Sequence, residues 1–300
     1  MAYQFQRRAF LHSTLVAGAA MMTRAPLRAA QATDGRPNAI CAFMKFLQSM
    51  SYEELADAIA ASGFDGIEAT VRRGGYIAPE RAPDELPKLN EVLAERGLKI
   101  TILTTDVLGT DQPATEPLLR AAANLGISTY RLGFYQYDLS NPVLAQLDEI
   151  KPKLTDLAAL NGELGVQGVY QNHSGAKYIG AAVWDFYSVA KDLPPEQLAL
   201  AFDIRHATVE AGLAWPAVYN AVRSHIGAIF VKDFDWRGRE ARHVPLGQGR
   251  VDRKFFGMLK RDAYRGPISL HVEYLEDEDA KENLTALQQD FATLRGWLQA

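Results

Sequence analysis

Short strand-like segments alternate with helix-like segments eight times between Asn38 and the C-terminus, and this alternation restricts the fold more than any other feature. The strand-like segments are residues 39–46, 65–71, 99–105, 128–134, 166–172, 198–203, 228–234 and 267–274. Such alternation, without a proline-, glycine- or serine-rich linker, predicts a parallel sheet covered by helices. Eight units predict an α/β fold, a single (β/α)8 TIM barrel over residues 38–300. A doubly wound open sheet is the alternative, but no glycine-rich phosphate loop follows the first strand.

Capping residues mark the ends of several helices between these strands. Ser51 and Glu54 have the spacing of a capping box, and Gly63 follows the last apolar residue of the same helix. Asn141 and Pro142 predict a second helix start, with asparagine as the N-cap and proline as the first helical residue.

The first 32 residues have the composition of an export signal. An arginine pair at 7–8 precedes Phe-Leu at 10–11 and a weakly apolar run, and the small-residue pattern Ala-Gln-Ala closes the segment at 30–32. This order predicts a cleaved signal peptide of the twin-arginine type over residues 1–32 and a periplasmic or secreted mature protein. A disordered basic leader is the alternative.

Composition excludes several classes of partner and cofactor. A net charge of −4 provides no basic surface for nucleic acid, and the single cysteine, Cys41, excludes an intrachain disulfide or a thiolate metal cluster. No later apolar run reaches the ~18 residues that a membrane helix needs. We expect a chain that binds neither nucleic acid nor, after signal removal, a membrane; an oligomer is compatible with the sequence.

Polar side chains follow all eight predicted strands at their C-terminal ends. The clearest case is VYQNHSG, in which a buried strand finishes in Gln171, Asn172 and His173. Active sites of TIM barrels lie at this end of the strands. We therefore expect Gln171 and His173 to face inward, and Asn172 to face the helices or the rim, because side chains alternate along a strand. The corresponding residues of other strands include Lys45, Glu68, Arg131, Asp203, His206, Lys232, His271 and Glu273.

Two kinds of site are compatible with these residues. Asp203, Glu273, His271 and His173 supply oxygen and imidazole ligands suited to Mn²⁺, Zn²⁺, Co²⁺ or Mg²⁺. The alternative is an ion-pair network in which Lys45, Lys232 and Arg131 neutralise the carboxylates. In both cases we expect Asp203 at the rim of the barrel rather than in its packed interior.

Four stretches in the same order resemble the xylose isomerase-like superfamily of sugar isomerases and epimerases, whose TIM barrels include the endonuclease IV type. They are GFDGIEATVR after the first helix, FDIRHA at strand six, VKDF at strand seven and the following PLGQGRVD. The resemblance implies one divalent metal held by Glu, Asp, His and Glu from strands five to eight. It also implies proton transfer beside the carbonyl of a sugar.

Transferred to this chain, the resemblance makes Asp203 the strand-six ligand and brings His206 to the substrate. The other three ligand positions depart from the family pattern, because they fall on Gln171, Phe230 and His271. An amide is a weak ligand and a phenyl ring is none. Either His173, His271 and Glu273 rebuild the site with Asp203, or metal is no longer bound; we favour the rebuilt site.

The sequence therefore predicts an exported, metal-assisted isomerase or epimerase that acts on a non-phosphorylated sugar. The candidate catalytic groups are His173, His206, Lys232 and Glu273, and the candidate substrate-binding groups are Lys45, Glu68, Arg131 and Gln171. β-Elimination from a 3-keto-glycoside is one alternative, since it needs a single base beside a polarised ketone. A carbohydrate-binding barrel without turnover is another. A nuclease is disfavoured by the charge and by the number of ligands that three metals would need.

Overall fold

A computed structural model describes residues 38–275 and 279–299. Eight parallel strands close into a barrel, around which they follow one another in the order of the chain. The predicted single (β/α)8 TIM barrel is confirmed. The predicted signal segment, residues 1–32, lies outside the described residues and stays a prediction.

The barrel strands are β1 Ile40–Phe43, β2 Gly66–Val71, β3 Lys99–Thr105, β4 Thr129–Arg131, β5 Gln167–Gln171, β6 Leu198–Asp203, β7 Ile226–Val231 and β10 Ile268–Leu270. The helices are α1 Tyr52–Ser62, α2 Ala82–Ala94, α3 Thr115–Asn124, α4 Val143–Leu164, α5 Trp184–Ala190, α6 Ile204–Ala211, α7 Trp215–Val222, α8 Lys254–Arg261 and α9 Ala280–Gln299. Two more strands, β8 Asp233–Arg237 and β9 Glu240–Val244, form an antiparallel hairpin directly after β7. In the described part of the chain, no helix is long and apolar enough to span a membrane.

The predicted start of α1 is confirmed, whereas that of α4 is wrong by one residue. Ser51 and Glu54 form both bonds of the capping box, and Gly63 ends α1 with a φ of +80°, which glycine adopts without steric cost. In α4 the N-cap is Pro142 itself, and it makes no side-chain capping bond. The Asn141 amide instead donates to Asp138 Oδ2 at 2.7 Å.

Apolar side chains fill two separate regions. The larger cluster lies between the barrel and its helices, and a smaller one is formed by buried residues of the strands. The smaller cluster comprises Cys41, Ile102, Val169, Ala199, Ala201, Ala228 and Phe230. A packed interior of this kind is typical of TIM barrels, and it leaves the C-terminal strand ends for polar groups.

Candidate active site

A continuous chain of hydrogen bonds and ion pairs links the ends of five neighbouring barrel strands. Arg131 Nη1 donates to Gln171 Oε1 at 3.1 Å, and Gln171 Nε2 donates to Asp203 Oδ2 at 2.8 Å. Lys232 Nζ lies 3.2 Å from Asp203 Oδ2 and 3.1 Å from Glu273 Oε2. We call these five residues the mouth network. It joins groups that follow or end β4, β5, β6, β7 and β10, as the strand-end pattern predicted.

Asp203 is fixed by its backbone as well as by its side chain. Its Oδ1 accepts the backbone N–H of His206 at 3.1 Å, so Asp203 is the N-cap of α6. The side chain of Asn172 makes two hydrogen bonds with the Asp203 backbone. Asn172 Nδ2 donates to the Asp203 carbonyl at 3.0 Å, and the Asp203 N–H donates to Asn172 Oδ1 at 2.7 Å. Asp203 ends β6 at the mouth of the barrel, but its exposed fraction is 0%. A buried carboxylate needs this full set of donors.

Lys232 is a cation held between two carboxylates. Its side chain is only 4% exposed. Burial alone would lower the pKa of the ammonium, but the charges of Asp203 and Glu273 outweigh burial and raise the pKa above its usual value. Lys232 is therefore an ammonium at neutral pH and is not available as a nucleophilic amine.

Glu273 is the carboxylate of the mouth network that solvent can reach, with 17% of its side chain exposed. Burial alone would raise its pKa, but Lys232, then His271, His243 and Lys45, hold the pKa far below its usual range. Glu273 is therefore ionised at any pH near neutrality.

The rings of His173 and His206 lie against each other beside the mouth network, with 4.0 Å between ring centres and a tilt of 37°. His173 Nδ1 lies 3.0 Å from the carbonyl of Ser174, which can only accept, so Nδ1 carries the proton and Nε2 keeps its lone pair. His206 Nδ1 accepts the backbone N–H of Ser174 at 3.1 Å, so its proton is on Nε2, 3.6 Å from Asp203 Oδ2. The two rings therefore present opposite functions, a lone pair and an N–H.

Both imidazoles are neutral at physiological pH. Burial, and next the charge of Lys232, lower the pKa of His173 to about 4. The same two causes, in the same order, place the pKa of His206 well below its usual value. Phe134 and Tyr178 line His173 at ring-centre distances of 5.0 and 4.3 Å, which makes this side of the site aromatic.

The hairpin β8–β9 supplies a histidine that the sequence analysis did not single out. His243 Nε2 lies 3.4 Å from Glu273 Oε2, and burial is the main cause that lowers its pKa to about 4. Arg205 binds the hairpin to the site, since its Nη2 donates to the carbonyl of Ala241 at 2.7 Å and its Nη1 donates to Ser174 Oγ at 2.8 Å. The position of His243 just before the PLGQGR loop was the available signal, but the hairpin itself was not predicted.

Glu68 and His271 form a second buried pair, separate from the bonds of the mouth network. Glu68 is 0% exposed, and its Oε2 lies 2.9 Å from His271 Nε2 while Thr104 and Ser269 also donate to the carboxylate. The His271 ring stacks on Phe43 at 4.2 Å. Burial alone would raise the pKa of Glu68, but His271 and the two hydroxyl donors outweigh burial and lower the pKa below its usual value.

This pair explains where two predicted site residues lie. Glu68 was predicted to bind substrate and His271 to bind metal. Each residue is at most 3% exposed, and Nε2 of His271 is bound to the carboxylate of Glu68. Lys45 was predicted to bind substrate from the end of strand one. It lies in a short 3-10 helix after β1, and its exposed side chain lies over the ring of Phe46.

The family model of the xylose isomerase-like TIM barrel matches residues 56–295. This chain belongs to that family. No curated protein sequence matches the chain. The chain is also similar to solved structures, at low sequence identity.

Three solved structures illustrate this similarity. The 3-keto-D-glucoside 4-epimerase from E. coli superposes with a TM-score of 0.68 at 17% identity, over 87% of this chain and all of that one. A D-tagatose 3-epimerase-like protein gives 0.68 at 17%, over 86% and 97% of the two chains, and D-psicose 3-epimerase gives 0.63 at 15%, over 87% and 99%. At these identities the superpositions establish the shared fold.

The residues at the family's metal position do not fit a divalent cation. In residues 38–275 and 279–299, no group of three or more His, Cys, Asp or Glu side chains is arranged to hold a metal. Of the four predicted ligands, Asp203 and Glu273 meet only through Lys232, whereas His271 bonds Glu68 and His173 bonds the backbone of Ser174. An ammonium and an amide N–H, rather than a ligand set, face Asp203.

Proposed function

We propose that this protein is an isomerase or epimerase that moves a proton at the carbon beside the carbonyl of a non-phosphorylated sugar. The observation that carries the proposal is the ammonium of Lys232, held at the barrel mouth between Asp203 and Glu273 with the neutral imidazoles of His173 and His206 beside it. Cations stabilise the oxyanion that forms when such a proton leaves, and a neutral imidazole can accept the proton.

The mechanism assigns a role to each group. The carbonyl oxygen of the sugar faces the cationic part of the mouth network, Lys232 and Arg131, which stabilises the enediolate. His173 Nε2 removes the proton from the neighbouring carbon, since its lone pair is free while Nδ1 is bound to Ser174. His206 donates its Nε2–H to a substrate oxygen, because its Nδ1 is already an acceptor. Protonated His173 returns the proton to the other carbon of the enediolate, which completes isomerisation; for epimerisation, water on the opposite face protonates the original carbon and His173 loses its proton to solvent.

Charge supports a neutral sugar over a sugar phosphate. In the mouth network two cations, Arg131 and Lys232, balance two carboxylates, Asp203 and Glu273, so no surplus positive charge remains for a phosphate dianion. Gln171 adds an amide rather than a further charge. The exposed parts of the site include the carboxylate of Glu273 and the aromatic side of His173, which suit hydroxyl groups and the apolar face of a sugar ring.

β-Elimination from a 3-keto-glycoside is the second candidate. Gln171 stands where the family resemblance implies a second carboxylate base, and the structure holds its amide between Arg131 and Asp203. Elimination needs one base beside the ketone and an acid for the leaving group, which His173 and His206 would supply. The name of one structural neighbour, a 3-keto-D-glucoside 4-epimerase, makes 3-keto-glucosides the first substrates to test.

The experiment is an NMR assay of purified protein with 3-keto-glucosides, free ketohexoses and their phosphates. We expect turnover of a non-phosphorylated substrate, its loss in Lys232→Met, and its retention in Lys254→Met, a change at an exposed lysine of α8. An epimer or isomer as product supports the first candidate, and a released aglycone supports the second. Calorimetric binding of these sugars without any turnover would identify a binding barrel and reject both.

We also propose export, which the pattern at residues 7–8 and 30–32 supports. Sequencing of the mature protein from the periplasm should find an N-terminus near Thr33. Periplasmic material that begins at Met1 or Ala2 would contradict cleavage.

A further inference from the structure

We infer that Lys232 takes the place of a divalent metal in this site, so that the protein is a metal-independent member of its family. The inference rests on the proposed function for the role of Lys232 in turnover, but its metal-binding part stands on geometry alone. It follows from three features of the described residues: the position of the ammonium, the orientation of one amide, and the side chains at two ligand positions.

The ammonium occupies the space in which a metal would meet its two carboxylates. Lys232 Nζ lies 3.2 Å from Asp203 Oδ2 and 3.1 Å from Glu273 Oε2. A metal ligated by the same oxygens would lie about 2.0–2.6 Å from each. A divalent ion there would lie against a buried ammonium, so the two cations exclude each other.

The orientation of Gln171 removes a further ligand. Its Oε1 accepts from the guanidinium of Arg131, which fixes the amide so that Nε2 donates to Asp203. The reverse orientation would point two sets of N–H groups at each other. Asp203 thus receives N–H donors on both oxygens, from Gln171 and Lys232 on Oδ2 and from the His206 backbone on Oδ1.

The remaining two positions are apolar or already occupied. Phe230 pairs in register with Asp203, and its ring is fully buried against His271 at a ring-centre distance of 4.8 Å. His271 Nε2 is bound to Glu68. Neither side chain offers a lone pair towards Asp203, so neither of these two positions supplies an imidazole ligand to a metal there.

The chemical consequence is a permanent electrophile that needs no loading. A lysine ammonium carries one charge and three N–H donors, two of which point to Asp203 and Glu273. The third is free to bind the carbonyl or enediolate oxygen of a sugar. The carboxylates keep the ammonium protonated and fix its position, which is the role a ligand set has for a metal.

The first arm of the test measures metal directly on the full chain. Purified protein is incubated with Mn²⁺, Zn²⁺, Co²⁺ or Mg²⁺, desalted and analysed for metal content, and its melting temperature is followed with and without EDTA. We expect less than about one tenth of an equivalent of each metal and no shift with EDTA. One equivalent of metal that disappears in Asp203→Asn would overturn the inference, whether or not any sugar is turned over.

The second arm measures the role of the charge. Among folded variants, Lys232→Arg should retain more turnover than Lys232→Met, and Lys232→Met should lose at least 100-fold. Turnover by Lys232→Met within tenfold of wild type, or turnover by wild type that EDTA abolishes and Mn²⁺ restores, would contradict the inference. If no sugar is turned over at all, the proposed function fails while the metal arm still decides whether the site is metal-free.

Discussion

Asp203 shows how far one residue can be read from the sequence. Its place at the end of β6 and its meeting with Lys232 follow from the rule that strand ends of a barrel converge. Its complete burial does not follow, because burial depends on Asn172, Gln171 and His206, which satisfy its backbone and both side-chain oxygens. Contacts between side chains of different strands are set by packing that the local sequence does not encode.

We therefore expect Asp203→Ala to destabilise the protein as well as to inactivate it. Alanine removes the N-cap of α6, typically ~1 kcal/mol, and leaves Lys232 with one carboxylate; breaking a buried ion pair costs about 3–5 kcal/mol. Asp203→Asn keeps a capping oxygen and should lose less free energy of unfolding while losing turnover equally. Urea unfolding measures the difference, and equal stability of wild type and Asp203→Ala would show that the contacts of Asp203 are not needed for the fold.

We expect Gln171→Ala and His173→Ala to lower turnover to different extents. Gln171 bridges Arg131 and Asp203, so Gln171→Ala should raise KM and lower kcat by roughly tenfold through misplaced neighbours. His173→Ala removes the proposed base, and removal of a general base typically costs 10²–10⁴-fold in kcat. Steady-state kinetics of both variants checks the assignment; near-wild-type kcat in His173→Ala with loss in Gln171→Ala would reverse the two roles.

At the scale of elements, the strand bounds were predicted well where strands are long and poorly where they meet the barrel mouth. The limits of β3 and β6 coincide with the predicted segments 99–105 and 198–203. Predicted strand one continued to residue 46, but the chain turns into a 3-10 helix at Met44. Apolar character alone does not distinguish a strand from the buried turn that follows it.

The hairpin is the element that the sequence analysis missed. Its strands are Asp233–Arg237 and Glu240–Val244, and Gly238 between them has a φ of +65°. Residues 228–234 were predicted as one strand, whereas β7 ends at Val231 and β8 begins at Asp233. The hairpin matters to the site, because it is the element that brings His243 to Glu273.

Asp233 fixes the loop after the hairpin, and Gly249 is needed for this contact. The Asp233 carboxylate accepts the backbone N–H groups of Gly247, Gly249 and Val251 at 2.9–3.0 Å. A Cβ on Gly249 would lie 2.4 Å from Asp233 Oδ1 and 2.2 Å from the carbonyl of Phe234, so the backbone would have to move. We expect Gly249→Ala to lower the free energy of unfolding by about 1–3 kcal/mol, as overpacking does.

Gly257→Ala is the matched control for this variant. Gly257 lies within α8, and a Cβ there meets nothing within 4 Å. Alanine should stabilise the helix by about 0.5–1 kcal/mol. Urea unfolding of the two variants should therefore give changes of opposite sign, and Gly249→Ala as stable as wild type would show that the loop adapts without cost.

At the scale of the whole molecule, the site makes the fold sensitive to acid. The pKa values of His173 and His243 are about 4, against 6.5 for an unperturbed histidine, and that of His206 is also well below 6.5. The unfolded chain therefore binds protons from about pH 6.5 downward while the folded chain does not. The stability that these three histidines contribute is fully present above pH 6.5 and is lost as the pH falls towards 4.

Urea unfolding between pH 7 and pH 4 tests this sensitivity. Each pKa unit of difference corresponds to about 1.4 kcal/mol, so the midpoint should fall steeply below pH 6.5. His173→Gln removes one of the titrating groups and should flatten the curve. A midpoint that stays constant from pH 7 to pH 5 would contradict the depressed histidine pKa values.

The central claim is that fixed charges at the barrel mouth support removal of a proton beside a sugar carbonyl. Hydrogen exchange from D₂O into that carbon measures this step directly, even when the overall equilibrium hides turnover. We predict that wild type incorporates deuterium at the carbon adjacent to the ketone of a 3-keto-glucoside, that EDTA leaves the rate unchanged, and that Lys232→Met abolishes it. Conversion of the sugar without deuterium in product or recovered substrate, or exchange at the same rate in Lys232→Met, would contradict the claim.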